Sequence, residues 1–527
     1  MQVKSRTTNT LINMSVNLGA QVLLTFLQIA YRTVFVKTLG TPYLGINGLF
    51  TNVLTMLSLT ELGLDTAITY KLYKPLADHD IKRLQILMKF YKYAYLVIGL
   101  VVLILGFSLI PFLPTLIKDY DSLSALHINP VLLYLLNLFQ TATSYLFFAS
   151  KSAIIKADQK VYLNTIVEFF TTVVLIIVQI ITLYLFRNFV LNTALGLGAI
   201  IVSNTIIAII ALRRYPDVFA STNDKLNKEE IKDIFKDVGA LFVYKVNNVV
   251  LKATDNIVIS AFIGITTVGL YSNYLMLYTT ISIISDKILD SIKASLGNLF
   301  AKESIDKQYQ LFKVVNYAAF LLLGTAGVGV AVCADELISV WLGNEFIIPK
   351  PFAVLIGMEI IMHGVKVNLG HVRNISGTFR HMWYRPVIGV IINITVSVLL
   401  VQVYGIYGVI IGTICADLFA NYLIDPRIIY KYCFNNMESV SSYYVANMKY
   451  FGILLISFIT STFICKFIFS NLGWASVFLH IIICAVLTPA LFAFVFRKEQ
   501  ENKYIVSLMM RLIHKITRIK DNKGVKK

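Results

Sequence analysis

Long apolar stretches separated by short polar turns follow one another along almost the whole chain. A helix that crosses a bilayer needs about 20 predominantly apolar residues, and about 14 stretches reach that length. In the most polar interior stretch, apolar residues from Ile231 to Val238 recur at helical spacing and predict a surface helix over 225–237. The pattern predicts an all-α polytopic membrane protein with about 14 transmembrane helices.

An internal repeat of low identity relates the two halves of the chain. The segment 39–74 opens with a Gly-rich turn, and much of its pattern returns 224 residues later at 263–298. Gly40 then corresponds to Gly264, and Gly45 to Gly269. Six spans in each copy would preserve the direction of the chain, so the copies are expected to be parallel. The repeat predicts two six-helix bundles followed by two extra C-terminal helices.

The polar connections divide the chain into five predicted regions. These are an N-terminal six-helix bundle at 1–215, a cytoplasmic amphipathic linker at 216–237, a C-terminal six-helix bundle at 238–435, helices 13 and 14 within 436–496, and a basic cytoplasmic tail at 497–527. No cleavable signal segment is expected, because the first apolar stretch is long and lacks a small-residue cleavage site.

Composition and charge add the orientation of these helices. The chain is 57% hydrophobic and 14% charged, with a mean hydropathy of +0.72, which is typical of membrane proteins rather than soluble ones. The formal net charge is +18, and about 35 Lys and Arg lie in the even-numbered connections and termini against about five in the others. This bias predicts that both termini are cytoplasmic, and it explains the basic charge without a nucleic-acid partner.

Charged and amide side chains at membrane depth mark the candidate site. Each charge near the bilayer centre costs about 2.5–3.5 kcal/mol, so a cluster of them needs a reason. Within each span they are spaced by three, four or seven residues, which places them on one helix face. The candidates are Gln28 and Arg32 on span 1, Glu61 and Asp65 on span 2, Lys245, Asn248, Lys252 and Asp255 on span 7, Asp286 and Asp290 on span 8, and Lys366 and Arg373 on span 10.

Structural roles are open for the same residues. Arg32 could extend toward the membrane surface, and Arg373 could be an interface anchor near the end of its span. The carboxylates could neutralise neighbouring lysines in ion pairs. His363 on span 10 could be a packed polar residue rather than a proton relay.

Motifs of nucleotide, metal or hydrolytic chemistry are absent from the sequence. It contains no Gly-Lys dipeptide, and so no GxxxxGK[ST] loop, and no HExxH, GxSxG or DxDxDG pattern. Its five scattered cysteines form no CxxC pair and predict neither a disulfide framework nor a metal site. We therefore expect no cofactor, no metal and no enzymatic activity.

Several runs of sequence resemble a known family. The runs YLGINGLFTN, ELGLDTAI and KLYKPLA, the later runs DNIVIS and VGLYSNY, and the ADQK run at 157–160 are similar to those of bacterial polysaccharide repeat-unit flippases. These belong to the multidrug/oligosaccharidyl-lipid/polysaccharide exporter superfamily, with the lipid II flippases and MATE transporters. The resemblance implies a V-shaped pair of bundles around a cavity lined by spans 1, 2, 7 and 8. In lipid II flippases, spans 13 and 14 shape a groove for the lipid tail.

The resemblance also implies an activity. It implies a flippase that moves undecaprenyl-diphosphate-linked oligosaccharides to the outer leaflet of the bacterial cytoplasmic membrane, for capsule or exopolysaccharide assembly, by alternating access. Arg32 resembles the family's span-1 cavity arginine by position. The expected partners are the lipid-linked substrate, membrane lipids, a coupling cation (H+ or Na+) and the glycan polymerase machinery.

The candidate residues then take three expected roles. Arg32, Lys245, Asn248 and Lys252 are expected to bind the diphosphate or glycan. Glu61, Asp65, Asp255, Asp286 and Asp290 are expected to bind a coupling cation or to form gate ion pairs. The secondary candidates are Gln28, Lys366 and Arg373. One departure from the family is that the carboxylates roughly balance the bases, although a diphosphate favours a cationic cavity.

Three other functions fit parts of the sequence. A MATE-like cation or multidrug antiporter would explain the acidic residues of spans 2 and 8. An integral-membrane glycan polymerase or ligase would need a large outer loop, and no outer connection is longer than about 20 residues. A scaffold for the glycan assembly machinery would need no transport path.

Overall fold

The structure, a computed structural model, describes most of the chain. The described backbone comprises residues 6–58, 64–118, 128–146, 149–302, 304–376, 384–467 and 472–507, with a few single positions between and beyond them. The side chains of residues 6–18, 239–252 and 290–302 and of a few others lie outside this description. Every regular element in the described ranges is helical. This confirms the all-α class predicted from the apolar pattern.

The chain forms two compact units, 1–272 and 273–527, and the boundary falls within one long helix, α10. The helices that begin in the first unit are α1 (Arg6–Leu39), α2 (Thr41–Leu57), α3 (Leu64–Ala77), α4 (Ile81–Leu109), α5 (Pro130–Leu146), α6 (Ser152–Ala157), α7 (Val161–Phe186), α8 (Phe189–Arg214), α9 (Lys228–Phe262) and α10 (Ile265–Lys302). The domain boundary at 216–237 stays a prediction.

The second unit contains the remaining helices. They are α11 (Ile305–Trp341), α12 (Phe352–Ser376), α13 (Arg385–Tyr404), α14 (Ile406–Ala416), α15 (Asp425–Tyr432), α16 (Val440–Phe467) and α17 (Trp474–Val495), with a π-helical segment, Asp417–Leu423, between α14 and α15. Gly327 on α11 and Gly357 on α12 face each other, and a Cβ added at either would lie within 2.5 Å of the other's carbonyl oxygen. Such close approach at small residues is typical of helix packing in membranes.

Capping residues explain where several helices begin. α2 follows Gly40, whose φ of 91° is costly for other residues, and has Pro42 in its first turn. α8 is capped by Asn188, whose side chain accepts a hydrogen bond from the backbone N–H of Leu191. The apolar runs predict spans 5 and 6 at about 161–186 and 191–212, joined by little more than Arg187 and Asn188, and the ends of α7 and α8 confirm this tight connection.

The helix predicted over 225–237 and predicted span 7 form one helix. α9 begins with a capping box, in which Asn227 and Glu230 each accept a hydrogen bond from the other's backbone N–H. It then continues without a break to Phe262, because one glycine, Gly239, does not stop a long helix. The structure thus has no turn at the boundary that the sequence predicted between the linker helix and span 7. That the first turns of α9 lie on the membrane surface stays a prediction.

Among the described residues, ten helical segments are long and apolar enough to cross a membrane, so the chain is a multi-pass membrane protein. They correspond to ten of the predicted spans, numbers 1, 3, 5, 6 and 9–14, which the apolar runs place at about 9–36, 84–110, 161–186, 191–212, 312–333, 352–376, 386–403, 407–427, 450–469 and 474–496. Of the other four, α2 and α5 have 17 residues each, while α9 and α10 have 35 and 38 residues but carry charges along their length. The count of 14 therefore stays a prediction. The two charged helices, α9 and α10, correspond to predicted spans 7 and 8, which are among the spans expected to line a cavity.

Repeat-equivalent residues contact each other in the first unit. A Cβ added at Gly45 would lie 2.0 Å from the carbonyl oxygen of Ile265, and one added at Gly269 would lie 2.3 Å from that of Thr41. The offset of 224 residues relates Thr41 to Ile265 and Gly45 to Gly269. A two-fold axis produces this kind of reciprocal contact. The contact supports the internal repeat, and it explains why both positions are glycine.

Candidate functional site

Arg32 lies within the first candidate span and against α10. Its Nη2 donates a hydrogen bond to Ser272 Oγ at 2.5 Å, and Ser272 Oγ donates to the carbonyl oxygen of Gly269 at 2.6 Å. Because the hydroxyl proton of Ser272 is donated to a carbonyl oxygen of α10, a lone pair of the hydroxyl oxygen accepts the hydrogen bond from the guanidinium. The side chain is half-buried. The structure therefore places a guanidinium within a candidate membrane-spanning helix of the first unit, where the sequence predicted a substrate-binding cation.

Asp255 lies close to the same part of α10. The hydroxyl of Tyr271, the residue before Ser272, donates to Asp255 Oδ2 at 3.4 Å. Asp255 is 4% exposed, so this carboxylate lies in the packed interior of the unit. α10 thus links Arg32 and Asp255 through neighbouring residues. The role of Asp255 in ion coupling or gating stays a prediction.

Asp65 has a cationic partner that the sequence did not predict. Lys156 Nζ on α6 lies 3.1 Å from Asp65 Oδ2, and the Tyr91 hydroxyl on α4 donates to Asp65 Oδ1 at 2.8 Å. The two charged side chains are 36% and 30% exposed. The ion pair ties α3 to α6, which agrees with the structural alternative considered for the carboxylates. In the sequence, Lys156 belongs to the basic stretch KSAIIKADQK between predicted spans.

The remaining predicted residues of spans 1, 2, 7 and 8 are described only in part. Gln28 is exposed on α1. Glu61 lies outside the described residues altogether. Side chains outside the description are those of Lys245, Asn248 and Lys252 on α9 and of Asp290 on α10. The roles of all of these residues stay predictions.

Asp286 on α10 contacts α12 within the second unit. His363 Nε2 lies 2.9 Å from Asp286 Oδ1, and the His363 ring also meets the edge of Tyr278 at 5.9 Å between centroids. The histidine side chain is 15% exposed and the aspartate 39%. An imidazole and a carboxylate in direct contact can share a proton. This pair is therefore a candidate for the predicted gate or coupling role of Asp286.

Lys366 pairs with the π-helical segment, one turn beyond His363 on α12. Its Nζ lies 3.2 Å from Asp417 Oδ1, which also accepts a hydrogen bond from Asn421 Nδ2 at 2.6 Å. Asp417 is 9% exposed and Lys366 29%. π-helical turns often occur at functional sites. Here the wider turn brings Asp417 and Asn421 onto one face opposite α12.

Arg373 and Arg385 share one carboxylate at the next level along α12. Arg373 Nη1 lies 3.0 Å from Asp425 Oδ2, and Arg385 Nε lies 3.4 Å from Asp425 Oδ1. The aspartate side chain is 1% exposed. Breaking such a buried cluster leaves an uncompensated charge and destabilises strongly. The contact gives Arg373 a structural role, and its role as a secondary substrate contact stays a prediction.

A large apolar groove lies in the second unit. Its volume is about 670 Å³, and it is lined by α10, α11 and α17, including Leu277, Leu322, Val330 and Ile481. Cysteines that are far apart in sequence meet there, since Cys333 and Cys484 both line it and both are free thiols. A groove with this lining suits a hydrocarbon chain.

The ADQK run forms a structural turn in the first unit. Gln159 has a positive φ of 56°, and Asp158 pairs with Lys160. The hydroxyl of Tyr215, just after α8, donates to Asp158 Oδ2 at 2.5 Å. These contacts hold the end of α6 against the end of α8. They give the run a role in packing.

Comparison with solved structures assigns the fold. The lipid II flippase MurJ in an inward closed conformation superposes with a TM-score of 0.63 at 14% identity, covering 93% of this chain and 99% of that protein. An inward-facing MATE transporter of the MOP superfamily gives a TM-score of 0.59 at 13% identity, covering 81% and 100%. The chain therefore has the fold of the transporters of this superfamily, as its resemblance implied.

Sequence comparison gives a relative that matches over part of the chain. The probable low-salt glycan biosynthesis flippase Agl15 of Haloferax volcanii is 24% identical over 199 residues. The match covers 36% of this chain and 42% of that protein, so less than half of the relative is matched. No protein-family model matches the chain.

Proposed function

We propose that the chain is a flippase that translocates a lipid-linked oligosaccharide, with an undecaprenyl-diphosphate carrier, from the inner to the outer leaflet of a bacterial cytoplasmic membrane. A glycan cannot cross hydrocarbon unaided, because each hydroxyl that loses water without a new hydrogen bond costs about 4–8 kcal/mol. The protein must therefore offer polar groups to the head while the tail stays in an apolar environment.

The observation that carries the proposal is the apolar groove of the second unit. It is lined by α10, α11 and α17, of which α17 corresponds to predicted span 14, and its apolar lining suits a polyprenyl tail. This lining favours a lipid-tailed substrate over a small hydrophilic cation. The larger share of the chain that MurJ covers, 93% against 81% for the MATE transporter, supports the same choice.

The charged groups have proposed roles around the head. Arg32 pairs with the diphosphate, because a guanidinium binds phosphate oxygens with two parallel hydrogen bonds. Lys245, Asn248 and Lys252 assist it. Asp286 with His363, and the carboxylates of Glu61, Asp65, Asp255 and Asp290, serve ion coupling or gating, since the membrane potential supplies about 2.3 kcal/mol per charge per 100 mV without ATP.

The proposal is tested by replacing Arg32. Arg32→Ala is expected to insert normally but to stop surface-glycan export, with lipid-linked intermediates accumulating on the inner leaflet. Arg32→Lys keeps the positive charge but loses the planar group that makes two parallel hydrogen bonds to phosphate, so it should support export only in part. Arg213→Ala, at the exposed end of α8, is the matched control and should export normally. Wild-type export by Arg32→Ala would contradict the role of this residue.

A MATE-like antiporter of organic cations is the second candidate. The buried carboxylate of Asp255 in the first unit and the MATE fold favour it. An antiporter predicts drug sensitivity in a deletion strain with normal glycan export. The flippase predicts the opposite pair of results.

A further inference from the structure

A cavity with several hydroxyl and amide groups in its wall lies wholly within the first unit, among α2, α5 and α8. Its volume is about 270 Å³, close to the lower end of small-ligand sites. Its polar groups come from Thr51 and Thr55 on α2, from Ser58 directly after α2, and from Asn137, Gln140, Thr141 and Ser144 on α5. None of the described side chains that line it is charged. The cavity therefore differs chemically from the surroundings of Arg32 and of Asp65.

The hydroxyl groups of this cavity present acceptors. Thr55 Oγ1 donates to the carbonyl oxygen four residues before it at 2.6 Å, and Ser58 Oγ does the same at 2.9 Å. Thr141 Oγ1 donates to the carbonyl oxygen of Asn137 at 3.0 Å, and Ser144 Oγ to that of Thr141 at 2.6 Å. Each hydroxyl has one proton and two lone pairs. With the protons used inside the helices, oxygen lone pairs remain for a ligand.

The two amides complete the lining. Asn137, 8% exposed, donates from Nδ2 to the carbonyl oxygen of Leu133 at 2.8 Å, which leaves its Oδ1 as an acceptor. Gln140 can both donate and accept. Its Nε2 rests against Gly196 of α8, where an added Cβ would lie only 3.0 Å away. A glycine in α8 thus makes room for the glutamine amide at the cavity wall.

We infer that this cavity binds an uncharged sugar residue of the substrate head, apart from the diphosphate. The inference rests on the proposed flippase function. Sugar hydroxyls are donors, and a wall of neutral acceptors matches them. The acceptor oxygens would repel a negatively charged phosphate or uronate, and the described lining contains no cation to offset that repulsion. The ring of Tyr145, which also lines the cavity, supplies an apolar face for a sugar ring.

Two pairs of variants test the cavity against matched controls. Thr141→Val keeps the shape and removes the oxygen, while Thr205→Val on α8 makes the same change to a threonine that also bonds its own helix, at 2.7 Å, outside the cavity. Gly196→Ala pushes on Gln140, while Gly198→Ala on the same helix meets nothing within 4 Å. Loss of one hydrogen bond to a neutral ligand is expected to weaken binding about two- to tenfold.

The probes are soluble, so that binding is measured apart from translocation. Purified full-length protein in detergent is titrated by saturation-transfer NMR with a panel of neutral trisaccharides of hexoses and N-acetylhexosamines, with trigalacturonate and with NaCl. We expect a neutral trisaccharide to bind the wild type and both controls, to bind Thr141→Val and Gly196→Ala more weakly, and trigalacturonate not to compete.

Each other outcome overturns the inference in a recognisable way. If no neutral trisaccharide binds, or the cavity variants bind as the controls do, the cavity is not a sugar site. If Na+ alone perturbs the protein and Thr141→Val abolishes that effect, the neutral oxygens form a cation site instead. Sugar binding by a protein that moves no lipid-linked oligosaccharide would refute the flippase proposal, whereas translocation without sugar binding would refute only this inference.

Discussion

Replacing Lys366 with methionine separates two roles that this lysine could have. Its partner Asp417 is 9% exposed, whereas Lys366 is 29% exposed, so the pair is intermediate between surface and buried. Surface pairs contribute about 0–1 kcal/mol, and breaking a buried pair costs about 3–5 kcal/mol. Lys366→Met should therefore destabilise the second unit by about 1–3 kcal/mol, because it leaves Asp417 without the cation 3.2 Å away.

The assay is a double-mutant cycle with two readouts. Asp417→Asn keeps the side chain that Asn421 contacts and removes the charge. Thermal stability of the purified single and double variants gives the coupling energy, with about 2–4 °C expected per kcal/mol. Glycan export in a deletion strain gives the function. If the pair is structural, Lys366→Met with Asp417→Asn recovers both stability and export relative to Lys366→Met alone.

Two results would refute this reasoning. If the double variant regains stability but stays inactive in export, Lys366 contacts the substrate and its pairing with Asp417 is only a resting arrangement. If neither single variant changes stability by more than about 0.5 kcal/mol, the contact contributes no more than an ordinary surface pair.

Three further predictions follow from single contacts. Gly45→Ala should destabilise the protein by about 1–3 kcal/mol, because the added Cβ would lie 2.0 Å from a backbone oxygen of α10. Gly48→Ala is the control: its Cβ would lie 3.7 Å from the nearest atom, so this variant should be neutral or stabilising in a thermal melt. Hydrogen bonds from Arg83 and from the backbone N–H of Asn227 lower the pKa of Glu230 below its ordinary 4.5. The ionised carboxylate should therefore stabilise the fold fully above pH 4.5, and this stabilisation should be lost as the pH falls through the lowered pKa. Glu230→Gln should accordingly be less stable than the wild type above pH 4.5 and equally stable at lower pH. Leu322→Trp should fill the apolar groove and slow vesicle translocation of long-tailed substrates while soluble sugars still bind; unchanged rates would exclude the groove as a tail site.

The sequence predicted the helices well where apolar residues are continuous. Predicted spans 5 and 6 match α7 and α8, with the short turn at Arg187 and Asn188 between them. The pattern could not predict that α9 continues from the linker through span 7, because no local signal marks the absence of a turn. It also could not predict the π-helical turn at Asp417–Leu423, which depends on packing against α12.

The sequence predicted several of the charged residues of the site, but it did not predict which residues they pair with. Arg32 and Asp65 were found because charges at membrane depth are costly. Lys156, the partner of Asp65, was missed because it lies in a basic connection whose position depends on the fold. The polar face of α5 was also missed, although Asn137, Thr141 and Ser144 recur at helical spacing. Neutral amides and hydroxyls cost less in a membrane and so give a weaker signal.

The most direct test of the account is translocation by the purified chain alone. Full-length protein is reconstituted into vesicles that carry a fluorescent undecaprenyl-diphosphate-linked oligosaccharide, and the fraction reached by an external glycosidase is followed over time. We predict that the inner-leaflet pool becomes accessible with wild type and Arg213→Ala but not with Arg32→Ala. An inner pool that stays protected with the wild-type protein, while the same vesicles exchange a small organic cation, would contradict the flippase and favour the antiporter.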